Sequence, residues 1–319
     1  MRPLKLHSSL AGPIQNFIHL RRLSGTDYKS QTQLLGYFDR FLLKQKWNLP
    51  RMTREITDCY QQSLSHLAPR TRSNRLCVVR QLCQYLARSD PHGYVPEPLR
   101  VIPSQQAHLP YIYSHSEIQT LLVAASKLSP PTSLRPHTYQ TLLGLLYSTG
   151  IRIGEALALN LEDFHCAVQR LYIAEGKFRK ARWVPLATST CQALQQYLYK
   201  RLKIKPRSPD SPLLLNQRSR RLTPCVVHQT FRSLLRQCGI LHSKPTGPRI
   251  HDLRHTFALH RLLAWYQDGQ DINVRLPWLA TYLGHVDVHS THIYLQASAE
   301  LIEQVDRRFY HHYLHRVKP

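Results

Sequence analysis

Acidic side chains are scarce in this sequence. Only 19 Asp and Glu stand against 43 Lys and Arg over 319 residues, a formal charge of +24 with a pI near 10.1. So large an excess favours a polyanionic partner, nucleic acid before a membrane surface. It is not confined to one end, since residues 1–105 carry 16 basic and 6 acidic side chains, so both parts of the chain are expected to meet phosphate. Paired cysteine motifs are also missing. The seven cysteines (Cys59, Cys77, Cys83, Cys166, Cys191, Cys225 and Cys238) are odd in number and contain no C-x-x-C, which argues against a disulfide framework or a zinc site. They read as small apolar residues of a reducing compartment. No apolar run approaches the roughly 18 residues of a membrane span, and the opening MRPLKLHSSL has no signal-like apolar core. We therefore expect a soluble intracellular protein with no membrane partner. A GxxxxGK[ST] phosphate loop is absent as well, so no nucleotide cofactor is expected.

What is present begins with helix. Apolar residues recur at helical spacing over 13–23, 31–43, 53–67 and 69–88, the last starting at Pro69 with Leu76, Val79, Leu82, Cys83 and Leu86 as its stripe. Arg70, Arg72, Arg75 and Arg80 add positive charge to that fourth helix. They suit a phosphate-binding face or a merely solvated one, and the surplus of the whole segment favours the former. Periodicity then fails in SDPHGYVPEPLRVIPSQQAHLP, whose prolines at 91, 96, 98, 103 and 110 fit a linker. We expect a helical domain over 1–105 and a second domain over 106–319.

The second part opens with a helix start at Ser114 and Glu117, then a strongly apolar helix over 137–148 broken by Thr149 and Gly150. Arg152 follows in TGIRIGEAL, with Glu155 three residues on and so on the same face. The two can form a purely structural pair, or Glu155 can orient Arg152 for use. LYIAEGKFRKARWVPLA reads as a β-hairpin with Lys177, Arg179 and Lys180 near its tip, either a solvated charged turn or a cationic finger. Helices are expected over 187–202 and, from the Thr223–Pro224 start, up to Gly239, with Arg218, Arg220 and Arg221 before the latter serving DNA or solubility. In IHDLRHTFALHRLLAWY, His251 and Arg254 are three apart in an apolar helix. That is the spacing for one His and one Arg aimed at a single phosphate, where a guanidinium gives two parallel hydrogen bonds, although a lone His there would read as core. TYLGHVDVHSTHIYL contains His285, His289, His292 and Tyr294. His285 and His289 have the spacing of one helical turn, but no ligating carboxylate or cysteine joins them, so no metal site is expected. Finally, Leu301, Ile302, Val305 and Phe309 give the C-terminal segment one narrow apolar stripe, to be covered by its own domain or by a neighbour's.

The ordered series Arg152, Lys177, His251-x-x-Arg254, Gly284-His285 and Tyr294 resembles the tyrosine site-specific recombinases, the integrase-like DNA strand-transfer enzymes of transposons and integrons. The resemblance covers roughly the last two-thirds of the chain by motif and the first third by layout. It implies a mainly α fold with a small antiparallel sheet, built from an N-terminal helical SAM-like core-binding domain and a tyrosine-recombinase catalytic domain. It implies cutting and rejoining of DNA at specific sites, without cofactor, through a 3′-phosphotyrosyl intermediate on Tyr294. Arg152, Arg254 and His285 would stabilise the transferring phosphate, His251 would assist proton removal, and Lys177, or else Lys180, would protonate the leaving oxygen, with Glu155 orienting Arg152. Arg70, Arg72, Arg75, Arg179 and Lys180 would contact DNA. The partner would be duplex DNA with paired recombination sites, bound by a tetramer linked through the C-terminal helix, in a bacterial nucleoid. Two other readings share these features: a type IB topoisomerase that relaxes DNA, and a non-catalytic DNA-binding protein of the same fold.

Overall fold

Residues 5–90, 92–98, 110–174, 181–204, 208, 210–240 and 247–284 are described by a computed structural model, the side chain of Tyr266 excepted. Lys177, Arg179, Lys180, His285, Tyr294 and the C-terminal stripe lie outside the described residues. The architecture is mainly α with a small antiparallel sheet, and the chain divides into two compact units, Met1–Ala107 and His108–Pro319.

The first unit holds four helices: α1 (Ala11–Leu23), α2 (Lys29–Lys44), α3 (Arg54–Ser63) and α4 (Pro69–Leu86). Their apolar positions fall three and four apart, as in Ile14, Phe17 and Ile18 of α1, and these join Leu35, Phe38, Leu42, Ile56, Tyr60, Val79 and Leu82 in one core. Buried Asp39 accepts from the backbone N–H groups of His7 and Ser8, both at 3.0 Å, and so ties the N-terminal segment to α2. Helix α3 is shorter than the periodicity suggested. Thr53 caps its start by accepting from the Ile56 N–H, and the chain then turns at Leu64 before Pro69 opens α4. The proline-rich stretch is not all linker. Tyr94 donates its backbone N–H to Met52 O at 3.0 Å, Arg80 Nε donates to Pro96 O at 2.8 Å, and Val95 packs on the first unit's core. Proline removes a donor but leaves a carbonyl, and Arg80 uses it.

In the second unit, α5 (His115–Ser126) begins with a full capping box between Ser114 and Glu117. Helix α6 (Arg135–Thr149) is the central element. Thr138, Tyr139, Leu142, Leu143, Leu145 and Leu146 are all buried, and it packs against α5, α8 (Thr188–Ile204) and α10 (Asp252–Gln267). Next along the chain come α7 (Ile153–Ala158) and the sheet of β1 (Phe164–His165), β2 (Arg170–Ile173) and β3 (Arg182–Pro185), antiparallel in the order β1-β2-β3. In the β2–β3 pair Leu171 faces Val184 and Ile173 faces Arg182. Helices α9 (Pro224–Gln237) and α11 (Ile272–Leu283) are the remaining helices among the described residues of this unit. Thr223 precedes α9 without a side-chain capping bond. Arg221 is engaged inside the fold: its Nη1 donates to Leu157 O at 2.7 Å and Leu159 O at 3.2 Å, closing the C-terminal end of α7. Among the described residues no helix is long and apolar enough to cross a membrane.

Candidate active site

The ends of α6 and α11 meet where the sequence has glycine. Gly150 follows α6 at φ +62°, and Gly284 follows α11 at φ +68°, the left-handed region where a side chain is strained. Space is a second reason for both. A Cβ on Gly150 would run into the Phe257 ring and come within 3.0 Å of Leu283 Cδ2, and one on Gly284 would lie 2.9 Å from Arg182 Nη1. The last turn of each helix leaves carbonyls with no intrahelical partner, at the negative end of the helix dipole. Guanidinium groups take them. Arg254 Nη1 donates to Gly150 O at 2.8 Å and Nη2 to Leu283 O at 2.7 Å. Arg152 Nη2 donates to Gly284 O at 3.0 Å, and Arg182 Nε donates to Tyr282 O at 3.0 Å.

Glu155, near the start of α7, joins two of these cations. Its Oε1 accepts from Arg152 Nη1 at 2.9 Å and Arg182 Nη1 at 3.1 Å, and its Oε2 accepts from the Arg152 backbone N–H at 3.0 Å and Arg182 Nη2 at 2.8 Å. The side chain is 4% exposed, against 22% for Arg152 and 12% for Arg182. Burial pushes the carboxyl's pKa up, but the hydrogen bonds from Arg182 and Arg152 and the Arg182 charge outweigh it and hold the group below its ordinary range. Two guanidinium groups on one carboxylate, with Arg254 on the neighbouring carbonyls, leave these four side chains a surplus of two positive charges. Arg182 was not singled out in the sequence. A signal existed in the alternation of β3, which puts Arg182 on the same inward face as buried Val184 while Trp183 points out.

The His251–Arg254 pair differs from expectation. His251 lies just before α10, not within it, and is exposed, whereas Arg254 is 3% exposed and bonded to carbonyls of two other helices. The buried Asp252 carboxylate accepts from the Arg249 backbone N–H at 2.8 Å and pairs with Arg249 Nη2 at 3.0 Å, which closes the turn that carries His251 into α10. Packing around the imidazole and then the charge of Arg254 lower the His251 pKa, as do Arg249 and Arg152, while Asp252 opposes them. These influences favour the neutral imidazole, the form that can accept a proton. His255 stands perpendicular to it at 5.1 Å, with its own pKa lowered to about 4 by burial and by His251.

Tyr282 sits beside the cluster, but burial pushes its phenol up to about 12 and its hydroxyl donates to Pro185 O at 3.3 Å, which suits packing, not attack. In the first unit Arg70 is exposed and Arg72 half-buried, whereas Arg75 lies over the Tyr37 ring at 4.8 Å, as does Arg40. Among the described residues there is no group of three or more His, Cys, Asp or Glu placed to hold a metal ion.

Comparison with known proteins gives a consistent result. The sequence profile of the "Phage integrase family" matches residues 112–300. The chain is 37% identical over 307 residues to "Putative integrase/recombinase y4rB" of Sinorhizobium fredii (strain NBRC 101917 / NGR234), covering 94% of this chain and 97% of that one. It is 29% identical over 251 residues to the tyrosine recombinase XerC of Bacillus subtilis (strain 168), covering 77% and 76%. Among solved structures it resembles in fold the Tn1549 transposon integrase in complex with transposon right end DNA, with a TM-score of 0.67 at 15% identity over 94% of this chain and 100% of that one.

Proposed function

Because this chain belongs to the phage integrase family and is a site-specific tyrosine recombinase, we propose that Tyr294 is its nucleophile and that Arg152 and Arg254 form its phosphate site. The observation that supports the assignment is the convergence of Arg152, Arg182 and Arg254 on the last residues of α11 and Gly284, next to His285 in the sequence, with Glu155 bound by the first two. In-line attack of the Tyr294 oxygen on a DNA phosphodiester forms the P–O(Tyr) bond, breaks the bond to the 5′ oxygen and passes through a phosphorane carrying two negative charges. The cluster's surplus of two positive charges matches that phosphorane, and fixed charges of this kind act without reorganising as the reaction proceeds. Arg152, the more open of the Glu155-bound guanidinium groups, meets the non-bridging oxygens, and buried Arg254 adds charge while fixing the two helix ends. His285 donates a further hydrogen bond. Neutral His251 takes the tyrosine proton, and Lys177 gives one to the departing 5′ oxygen, with Lys180 the other candidate on that hairpin. A 5′-hydroxyl from a second strand then reverses the step, so the bond energy is retained and no nucleotide is consumed.

The two units would act together on duplex DNA, the first through Arg70 and Arg72 and the second through the site and through Arg179. Four subunits would assemble on paired sites, each C-terminal helix docking on a neighbour through Leu301, Val305 and Phe309. Trapping the protein on a nicked suicide substrate tests the assignment. A covalent adduct should form with the chain and be lost in Tyr294→Phe.

A further inference from the structure

Arg182 donates to both oxygens of Glu155 and to a carbonyl in the last turn of α11. We propose that Arg182 is a positioning residue that keeps Glu155 from neutralising Arg152, and so preserves the charge that the transferring phosphate meets. This rests on the phosphate-site reading above.

The geometry is specific. Arg182 gives Nη1 to Oε1 and Nη2 to Oε2 of Glu155, at 3.1 and 2.8 Å, a two-pronged pair in which both carboxylate oxygens are engaged. Arg152 then reaches Glu155 with a single side-chain nitrogen, at 2.9 Å, and its Nη2 goes to Gly284 O. Without Arg182, the carboxylate would be left to Arg152 alone. Glu155 and Arg152 would then form a neutral pair, and the local surplus of two positive charges would drop to that of Arg254. Arg182 also donates Nε to Tyr282 O in the last turn of α11, and the missing side chain of Gly284 gives its guanidinium room there. A single guanidinium thus fixes α7, β3 and the end of α11. In the sequence Arg182 follows Lys180 by two residues and opens β3.

The test is single-turnover cleavage by the full chain carrying Arg182→Met or Arg182→Lys. Two suicide substrates are used, one with an ordinary scissile phosphodiester and one in which a methyl group replaces a non-bridging oxygen of that phosphate. The methyl group removes the negative charge that the arginines serve. On the phosphodiester we expect Arg182→Met to be slower by about tenfold or more, which corresponds to the loss of one well-placed charge interaction. Arg182→Lys should fall in between, since it restores charge but not the fork. DNA affinity should stay within about twofold of wild type, because no DNA contact is removed. On the methylated substrate the deficit of Arg182→Met should largely vanish. An equal deficit on both substrates would mean that Arg182 is only a structural strut and would overturn the proposal, as would a wild-type rate for Arg182→Met on the phosphodiester. Thermal unfolding and DNA binding report whether each variant is folded, and if the Met variant is not, the Lys variant is compared on the same two substrates. Failure of the phosphate-site reading looks different: wild type would itself form no adduct on the phosphodiester, or Tyr294→Phe would still form one.

Discussion

Replacing Glu155 by Gln keeps the shape of the side chain and removes its charge from between two guanidinium groups. Each carboxylate oxygen accepts two donors, Oε1 from the Nη1 atoms of Arg152 and Arg182 and Oε2 from the Arg152 N–H and Arg182 Nη2. Whichever way the new amide turns, its NH2 faces two donors and both bonds are lost. Charged hydrogen bonds contribute about 1.5–3 kcal/mol each, and breaking one side of a buried ion pair costs about 3–5 kcal/mol. We therefore expect a loss of about 3–5 kcal/mol in the unit carrying Glu155, a fall in Tm of roughly 6–20 °C for a unit of this size. Thermal and urea unfolding of the full chain at pH 7 measure it. The pH dependence supplies a second arm. Because the folded-state pKa of Glu155 is held below its ordinary value of 4.5, its stabilisation is fully present above that value and is lost as pH falls through the depressed one. The gap between wild type and Glu155→Gln should thus narrow in acid. A variant destabilised by less than about 1 kcal/mol, or a gap independent of pH, would refute the account of the cluster.

Two further outcomes follow from the proposed function. Affinity for DNA should fall steeply with salt, with a log–log slope of several units, because many phosphates are neutralised by both units; a slope near zero in a titration would contradict DNA binding by both. A chain truncated after Ala299 should still bind one half-site but fail to form the complex on two paired sites in a gel-shift assay, and normal assembly would rule out docking through Leu301, Val305 and Phe309.

Local chemistry made much of this molecule legible in its sequence. The Ser114–Glu117 box, the Gly150 stop and the Arg152–Glu155 pair each involve residues within one helical turn of an element's end, where spacing alone decides the contact, whereas α11 and its stop at Gly284 were not read. What was not legible is long-range. Arg182 meets Glu155 across 27 residues, and Arg254 reaches carbonyls 104 and 29 residues away, partners that only the packing of α6, α10 and α11 brings together. Arg221 likewise resembled a surface charge until the fold set it over the end of α7. His251 lies in the turn just before α10, one residue outside the helix that the spacing suggested, where Arg254 donates its backbone N–H to His251 O.

On the proposed mechanism this chain cuts DNA by covalent attack from Tyr294 without a metal ion. The most direct measurement is recovery of the covalent protein–DNA adduct from a nicked suicide substrate in excess EDTA, with wild type and Tyr294→Phe side by side. The account predicts a 3′-phosphotyrosyl adduct for wild type in EDTA, and DNA binding without an adduct for the variant. An adduct that persists in Tyr294→Phe, or one that forms only on addition of Mg²⁺ or Zn²⁺, would contradict it.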